Sequence, residues 1–210
     1  MARSVVLHSC HTGSIEQLIA CAYPMYPQQT EYLIDREGGT MNRKRVIRLV
    51  KRDDLEATLS VINETNRVSY KAIIPPERFK DPFMSLDELA GEVERMDFFL
   101  CEEDDQAIGV GALEDRGSGI GVVFRLYVLP AFQRSGVGSA VLSHIERHAR
   151  GLGISEILVW TDSKAVWAVS FYKRQGYAEI EPTTRYGDPI VDARIKRHGH
   201  DLAVLHKHLT

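Results

Sequence analysis

The sequence contains no stretch approaching the ~20 consecutive apolar residues of a membrane span, because charged or histidine residues break every candidate within about ten positions. A cysteine framework is absent too. Cys10, Cys21 and Cys101 form an odd set without paired spacing, which excludes a disulfide-built scaffold and matches a reducing compartment, so a cytoplasmic protein is expected. Neither sign of charge dominates. With 26 basic residues against 29 acidic ones and a formal net charge of −3, the chain has no global attraction to nucleic acid or an anionic membrane surface. Leu18-Ile19-Ala20-Cys21 has the residue types of a lipoprotein cleavage site, but His8, His11, Glu16 and Gln17 interrupt the apolar region such a signal needs. What is present is ordinary for a soluble globule: 44% hydrophobic and 26% charged residues over 210 positions. A chain of this length buries about 70% of its unfolded surface and needs no metal or disulfide to fold.

Residues 1–40 hold only Arg3 and Arg36 as bases, lack lysine, and show neither helical nor strand periodicity. They read as an N-terminal extension, punctuated by Tyr23-Pro24-Met25-Tyr26-Pro27 and closed by Gly38-Gly39-Thr40. Met41 follows as a candidate for the true start, the alternative being that 1–40 is a genuine extension lying on the domain, and a domain over 41–210 is expected, opening on the basic run Asn42-Arg43-Lys44-Arg45. That run reads as a solvated lead-in to a strand at 46–50. Leu55, Leu59 and Ile62 have helical spacing behind Asp53 or Asp54 as cap, and Ser85-Leu86-Asp87-Glu88 is a capping box opening a helix to about Met96. Apolar runs at 98–101 and 107–113 flank Glu102-Glu103-Asp104-Asp105, a hairpin with a solvated acidic tip. A strand at 121–129 ends at Pro130. Val137, Val141, Ile145 and Leu152 mark one face of a long helix closed by Gly151 and Gly153. A strand at 154–160, a helix from Asp162 or Ser163 to Gln175, and short strands at 177–180 and 202–208 complete a mixed α/β domain.

The chemistry concentrates between residues 125 and 140. A strand runs into Gln133-Arg134-Ser135-Gly136-Val137-Gly138-Ser139, where a helix begins. Gly136 and Gly138 remove side chains where backbone N–H groups must approach a ligand, and the helix N-terminus adds its positive dipole end. With Arg134 and the hydroxyls of Ser135 and Ser139 as further donors, this is a seat for a pyrophosphate; the plain alternative is a glycine-softened turn. It is neither a dinucleotide fingerprint, since Val141 stands where a third Gly or Ala is required, nor a Walker loop, since no lysine follows Gly138.

Gln133-Arg134-Ser135-Gly136-Val137-Gly138 resembles the acetyl-CoA-binding motif of the GCN5-related N-acetyltransferase (GNAT) family, Gln/Arg-x-x-Gly-x-Gly/Ala. Downstream, the helix ending Phe171-Tyr172-Lys173-Arg174-Gln175-Gly176-Tyr177 is similar to the family's second hallmark. The resemblance spans roughly 46–208 and rests on about 122–180. It implies a mostly antiparallel sheet with a splayed central strand pair and helices on both faces. It also implies a cleft in which the backbone of Leu126, Tyr127 and Val128 pairs with the pantetheine arm of acetyl-CoA, while Gln133 to Ser139 wrap the pyrophosphate. Tyr172 would be the general acid at the sulfur; the alternative is a buried aromatic with a satisfied hydroxyl.

Two positions depart from the family pattern. Ala165 replaces a frequent Asn, leaving Asp162, Ser163 or Lys164 to supply that contact. The central strand carries Arg125 where many members have a glutamate base, so Glu114 and Asp115 become the nearest carboxylates in sequence, unless they are only a charged turn beside Arg116-Gly117. The resemblance implies that residues 70–86 form the acceptor wall; the alternative is that their apolar side chains belong to the core. Alternation puts His206 and His208 on one face of the last strand, but no neighbouring carboxylate or cysteine in the chain completes a ligand set, and no metal is expected. The expected activity is direct acetyl transfer from acetyl-CoA to a primary amine of a small molecule, with no nucleic-acid or membrane partner. The alternatives are a noncatalytic acyl-CoA-binding module and a protein N-acetyltransferase. Oligomeric state is open, a homodimer included.

Overall fold

A computed structural model describes residues 44–181 and 202–210. The readings made on residues 1–43, together with His198 and His200, lie outside the described residues. In chain order the elements are β1 (Arg45–Leu49), a 3-10 turn (Arg52–Asp54), α1 (Leu55–Ser69), α2 (Leu86–Val93), β2 (Asp97–Glu103), β3 (Gln106–Asp115) and β4 (Ile120–Val128). A second 3-10 turn (Pro130–Phe132), α3 (Val137–Gly151), β5 (Glu156–Asp162), α4 (Val166–Arg174), β6 (Ala178–Ile180) and β7 (Leu202–His208) follow. Among the described residues the strands form one seven-stranded sheet in the order β1-β2-β3-β4-β5-β7-β6. Every pairing is antiparallel except β4 with β5. No described helix is long and apolar enough to cross a membrane.

Local signals explain most of the boundaries. The Ser85 hydroxyl accepts from the Glu88 N–H while the Glu88 carboxylate accepts from the Ser85 N–H, so both halves of the capping box form; α2 nevertheless stops at Val93, short of Met96. Asp104 and Asp105 take left-handed φ values of 50° and 64°, which suits a tight hairpin turn between β2 and β3. Gly153 at φ 79° ends α3 as expected.

Two expectations about charge are corrected. Arg45 and Glu103 are not solvated but buried, paired across β1 and β2 with Nε–Oε2 2.5 Å. The adjacent Arg48 spans Glu102 at 2.8 Å and Asp54 at 2.6 Å. Arg45 of the basic run and Glu102 and Glu103 of the acidic run are thus joined, with Arg48, in cross-strand ion pairs because antiparallel registry sets β1 beside β2, while Lys44, Asp104 and Asp105 are exposed.

Helices cover both faces of the sheet. On one, α3 buries Val137, Val141, Leu142, Ile145 and Ala149 against aliphatic side chains from β1 to β5 and β7. Gly111 is what lets α3 come so close: a Cβ there would stand 2.7 Å from Ile145 Cδ1 and 2.9 Å from Val141 Cγ1. On the other face, Val61, Ile62, Met84, Leu89 and Met96 pack over Phe98, Val110 and Ala112.

Candidate active site

The parallel pair β4–β5 runs in register only from Ile120↔Glu156 to Val123↔Val159, although β4 continues to Val128 and β5 to Asp162. The cause of the divergence lies on the other edge of β4. Val110 pairs with Tyr127 but Ala112 with Phe124, so Arg125 and Leu126 together stand opposite Gly111. Arg125 has φ 52°, the conformation of a bulge that adds twist and bends the strand. From residue 124 onward the two strands part, and the edge of β4 facing β5 has no strand partner. The larger surface concavity, about 420 Å³ on the outer side of α1 between Glu56, Arg67 and Leu86, touches none of the motif residues.

At the mouth of this V, α3 begins. Gly136 is its N-cap at φ 90°, a conformation a β-branched residue adopts only with strain, and no side chain caps the helix. The N–H groups at the start of α3 thus point outward beside the positive dipole end. Val137 anchors the first turn by burying its side chain in the core. A Cβ added to Gly138 would make only ordinary contacts, 3.5 Å from the Phe171 ring and 3.6 Å from Val128 Cγ2. Protein packing does not demand glycine there, and its absence of a side chain leaves the backbone open to close approach by a ligand. Both features fit a pyrophosphate.

The other loop residues divide between holding the loop and facing outward. The Ser135 hydroxyl donates to the Phe132 carbonyl at 2.6 Å, and Arg45 Nη1 donates to the Ser135 carbonyl at 3.0 Å, so Ser135 stiffens the loop. Ser139 Oγ accepts from Gln175 Nε2 at 3.1 Å and keeps its own proton for donation. Gln133 Nε2 donates to the Val128 carbonyl at 3.1 Å and to Ser69 Oγ at 3.3 Å, linking the loop to both β4 and α1. Arg134 is exposed at φ 60°. On β4, Leu126 and Val128 pack toward α3, whereas Tyr127 packs toward α1.

Tyr172 lies on α4, buried against Phe171 and Tyr177 with ring centroids 5.2 and 5.6 Å away. Burial, and then the neighbouring Tyr127, push its phenol well above the usual range, so it holds its proton throughout neutral pH. Tyr70, just past the end of α1, is raised likewise by burial, then by Tyr127 and Tyr172; it also hydrogen-bonds Thr161 on β5. Tyr127 thus bears on both other phenols, and Tyr70 alone of the three is hydrogen-bonded to β5. Tyr70 meets Tyr127 edge-on at 6.0 Å and Trp167 at 5.8 Å, and Trp167 is 43% exposed at the rim. Tyr70 entered the sequence reading only as the first residue of the acceptor wall that the resemblance implies, and the sequence did not single out Thr161 or Trp167. Their only signal was Trp167 following Val166 as a second exposed apolar residue at a helix start. Tyr177 is structural: its hydroxyl donates to Glu146 Oε1 at 3.0 Å, and Lys207 Nζ donates to the same carboxylate at 2.8 Å.

The carboxylates sit on the α1–α2 face. Glu114 ends β3 with Arg116 at 2.8 Å and Arg95 at 3.9 Å. Arg125 reaches back to Glu92 on α2 with bonds of 2.5 and 2.9 Å, its guanidinium 5.3 Å from the Phe83 ring centroid. Glu92, which sequence reasoning did not single out, thus returns an acid to the bulge of β4. These side chains line a small cavity of about 100 Å³. The contact expected from Asp162, Ser163 or Lys164 is partly engaged locally, since Asp162 Oδ1 accepts from the Lys164 N–H at 2.9 Å; α4 starts after Ala165, without a side-chain cap. Cys101 is buried in β2, its thiol pushed up to about 12 chiefly by desolvation, which removes it as a nucleophile.

Residues 59–177, more than half of the chain, match the acetyltransferase (GNAT) family. The chain belongs to this family. Among GNAT proteins it is 32% identical over 95 residues to an IAA acetyltransferase of Azospirillum brasilense, covering 44% of this chain and 62% of that protein. It is 34% identical over 90 residues to a mycothiol acetyltransferase of Streptomyces avermitilis, covering 42% of this chain and 29% of the relative. The match thus spans less than two thirds of either relative. A solved GNAT structure, the paiA N-acetyltransferase of Thermoplasma acidophilum in complex with coenzyme A, superposes with TM-score 0.63 at 21% identity, over 79% of this chain and 99% of that one. At that identity the likeness establishes the GNAT fold, splayed pair included.

Proposed function

We propose that this protein is an N-acetyltransferase that moves the acetyl group of acetyl-CoA directly to a primary amine of a small molecule. The observation that carries this reading is the uncapped start of α3 beside the β4–β5 divergence, with the buried Tyr172 of α4, which holds its proton, as the candidate acid. When bound there, acetyl-CoA supplies an activated acetyl thioester. The N–H groups from Gly136 to Ser139 take the pyrophosphate, and the free edge of β4 at Leu126–Val128 pairs with the extended arm as an added strand. Tyr172 Oη holds the proton that the departing thiolate accepts. An acceptor ammonium, with ordinary pKa near ~10.4, must lose a proton before attack, and Glu114 is the carboxylate we assign to receive it, directly or through water.

Tyr70, Tyr127 and Trp167 crowd the acceptor side, which supports a small amine over a polypeptide. The functional domain is taken as 41–210, with 1–40 an extension, and the buried free thiol of Cys101 agrees with a cytoplasmic setting. Calorimetry with acetyl-CoA on the full chain tests the reading. Wild type and Tyr172→Phe should bind alike, while Tyr172→Phe should lose about 100-fold or more in kcat in an amine screen. Gly136→Val should keep the circular dichroism of the wild type and lose binding. A folded wild-type chain that does not bind acetyl-CoA would overturn the proposal.

A further inference from the structure

The registry of β5 with β7 sets Glu156 opposite His208 and Leu158 opposite His206. His206 and His208, two residues apart, project from the same side of β7, and Glu156 projects between them. His206 Nδ1 lies 2.8 Å from Glu156 Oε1 and His208 Nε2 lies 4.0 Å from the same oxygen. The two imidazoles meet edge-on at 5.3 Å, and one ligand atom from each of the three residues falls within 4.8 Å of the others. The histidines alone lacked a carboxylate in the chain nearby; strand pairing supplies one from 50 residues upstream of His206.

We propose that Glu156, His206 and His208 form a binding site for a divalent transition ion of borderline softness, Zn²⁺ foremost. Two imidazole nitrogens and one carboxylate oxygen are a ligand set that Zn²⁺ accepts, leaving a fourth position for water. Ligand atoms around a tetrahedral Zn²⁺ stand roughly 3.4 Å apart, from bond lengths of about 2.1 Å. The Glu156–His206 pair must therefore open slightly and His208 must swing inward. The backbone need not move. His208 has a side chain 67% exposed and turns freely, while Glu156 and His206 are held at 12% and 18%. Because the ligands come from two neighbouring strands, the ion would clamp β7 to β5. The position is also separate from the acetyl-transfer cleft: Glu156 pairs with Ile120 at the start of β4, before the strands part at Val123.

The test uses the full chain, stripped with a chelator and titrated with Zn²⁺ by calorimetry, with Co²⁺ as a spectroscopic substitute. Wild type should take up one ion more than His206→Ala/His208→Ala, and His208→Ala alone should weaken that uptake by at least about tenfold. Co²⁺ should give visible bands of low-symmetry nitrogen and oxygen coordination in wild type and not in the double variant. Zn²⁺ should raise the Tm of wild type and leave that of His208→Ala unchanged. His208→Ala, altering an exposed side chain, keeps the test readable if the double variant fails to fold. Equal uptake by wild type and His208→Ala, as if other histidines took the ion, or no uptake by wild type, would overturn the proposal. Acetyl-CoA binding should be unchanged in every variant, so this test and that of the acetyl-transfer reading fail separately.

Discussion

The α3 face of the sheet is packed chiefly by apolar side chains meeting a helix at close range, with the Arg45–Glu103 and Lys207–Glu146 pairs beside them, whereas the α1–α2 face combines apolar packing with the Arg125–Glu92 pair and three buried polar residues of α1, Thr58, Thr65 and Asn66. The first face holds the start of α3, and its geometry there is set by shape: Gly111 admits the helix and Val137 pins its first turn. The second face borders the acceptor side, and its geometry depends on charge. There Arg125 sits at a left-handed bulge and is tied to Glu92, 33 residues earlier. Steric substitution should therefore cost most where α3 crosses Gly111, and a broken pair most at Arg125.

Arg125→Ala should have the largest effect on stability, about 3 kcal/mol in urea unfolding, because it strands Glu92 in a largely buried position. Arg125→Met combined with Glu92→Leu should recover most of it. If the double variant is no better than the single, the ion pair is not what holds this side.

His144, on α3, sharpens the comparison through pH. Desolvation first, then Arg147 and His148, lower its pKa from the ordinary 6.5 to about 4. With the folded value below the unfolded one, its contribution is full above pH 6.5, declines as the pH falls toward 4, and is then constant. We expect a loss of about 2 to 3 kcal/mol across that window, by thermal or urea unfolding, and a flatter profile in His144→Leu.

Gly111→Ala should cost about 1 to 2 kcal/mol, since the new methyl meets Ile145 and Val141, both fully buried and without space to retreat. The same change at Gly138 meets only ordinary contacts, so it should spare stability and weaken acetyl-CoA binding instead. Trp167→Ala is the smallest case. Being 43% exposed, it should leave folding intact and raise the acceptor KM by up to about tenfold, the worth of an aromatic contact, with the acetyl-CoA Kd unchanged.

The two faces also differed in legibility. Gln133 to Ser139 are contiguous, so the strand exit, the glycine-bearing turn and the helix start that follows it were legible before any fold was known. The Ser85–Glu88 capping box and the left-handed hairpin turn are equally local, and both formed. Tyr172 was marked by its motif, but the ring contact between Tyr70, past the end of α1, and Trp167, on α4, was invisible to spacing. The runs Arg43–Arg45 and Glu102–Asp105 looked solvated because each was read alone; registry between β1 and β2 joined Arg45 to Glu103 in the interior. The same kind of registry, between β5 and β7, gave His206 and His208 their carboxylate.

The amino-acid sequence by itself determined the order of helices and strands, the glycine-bearing loop after β4 and the aromatic hallmark on α4. These are set by backbone propensity and short-range spacing. Only the tertiary structure decided where β4 leaves β5, which acid faces Arg125, which phenols share the cleft and which carboxylate stands by the histidines. Those outcomes depend on strand register and on a bulge at one residue, and register is a property of two distant segments meeting, not of either alone.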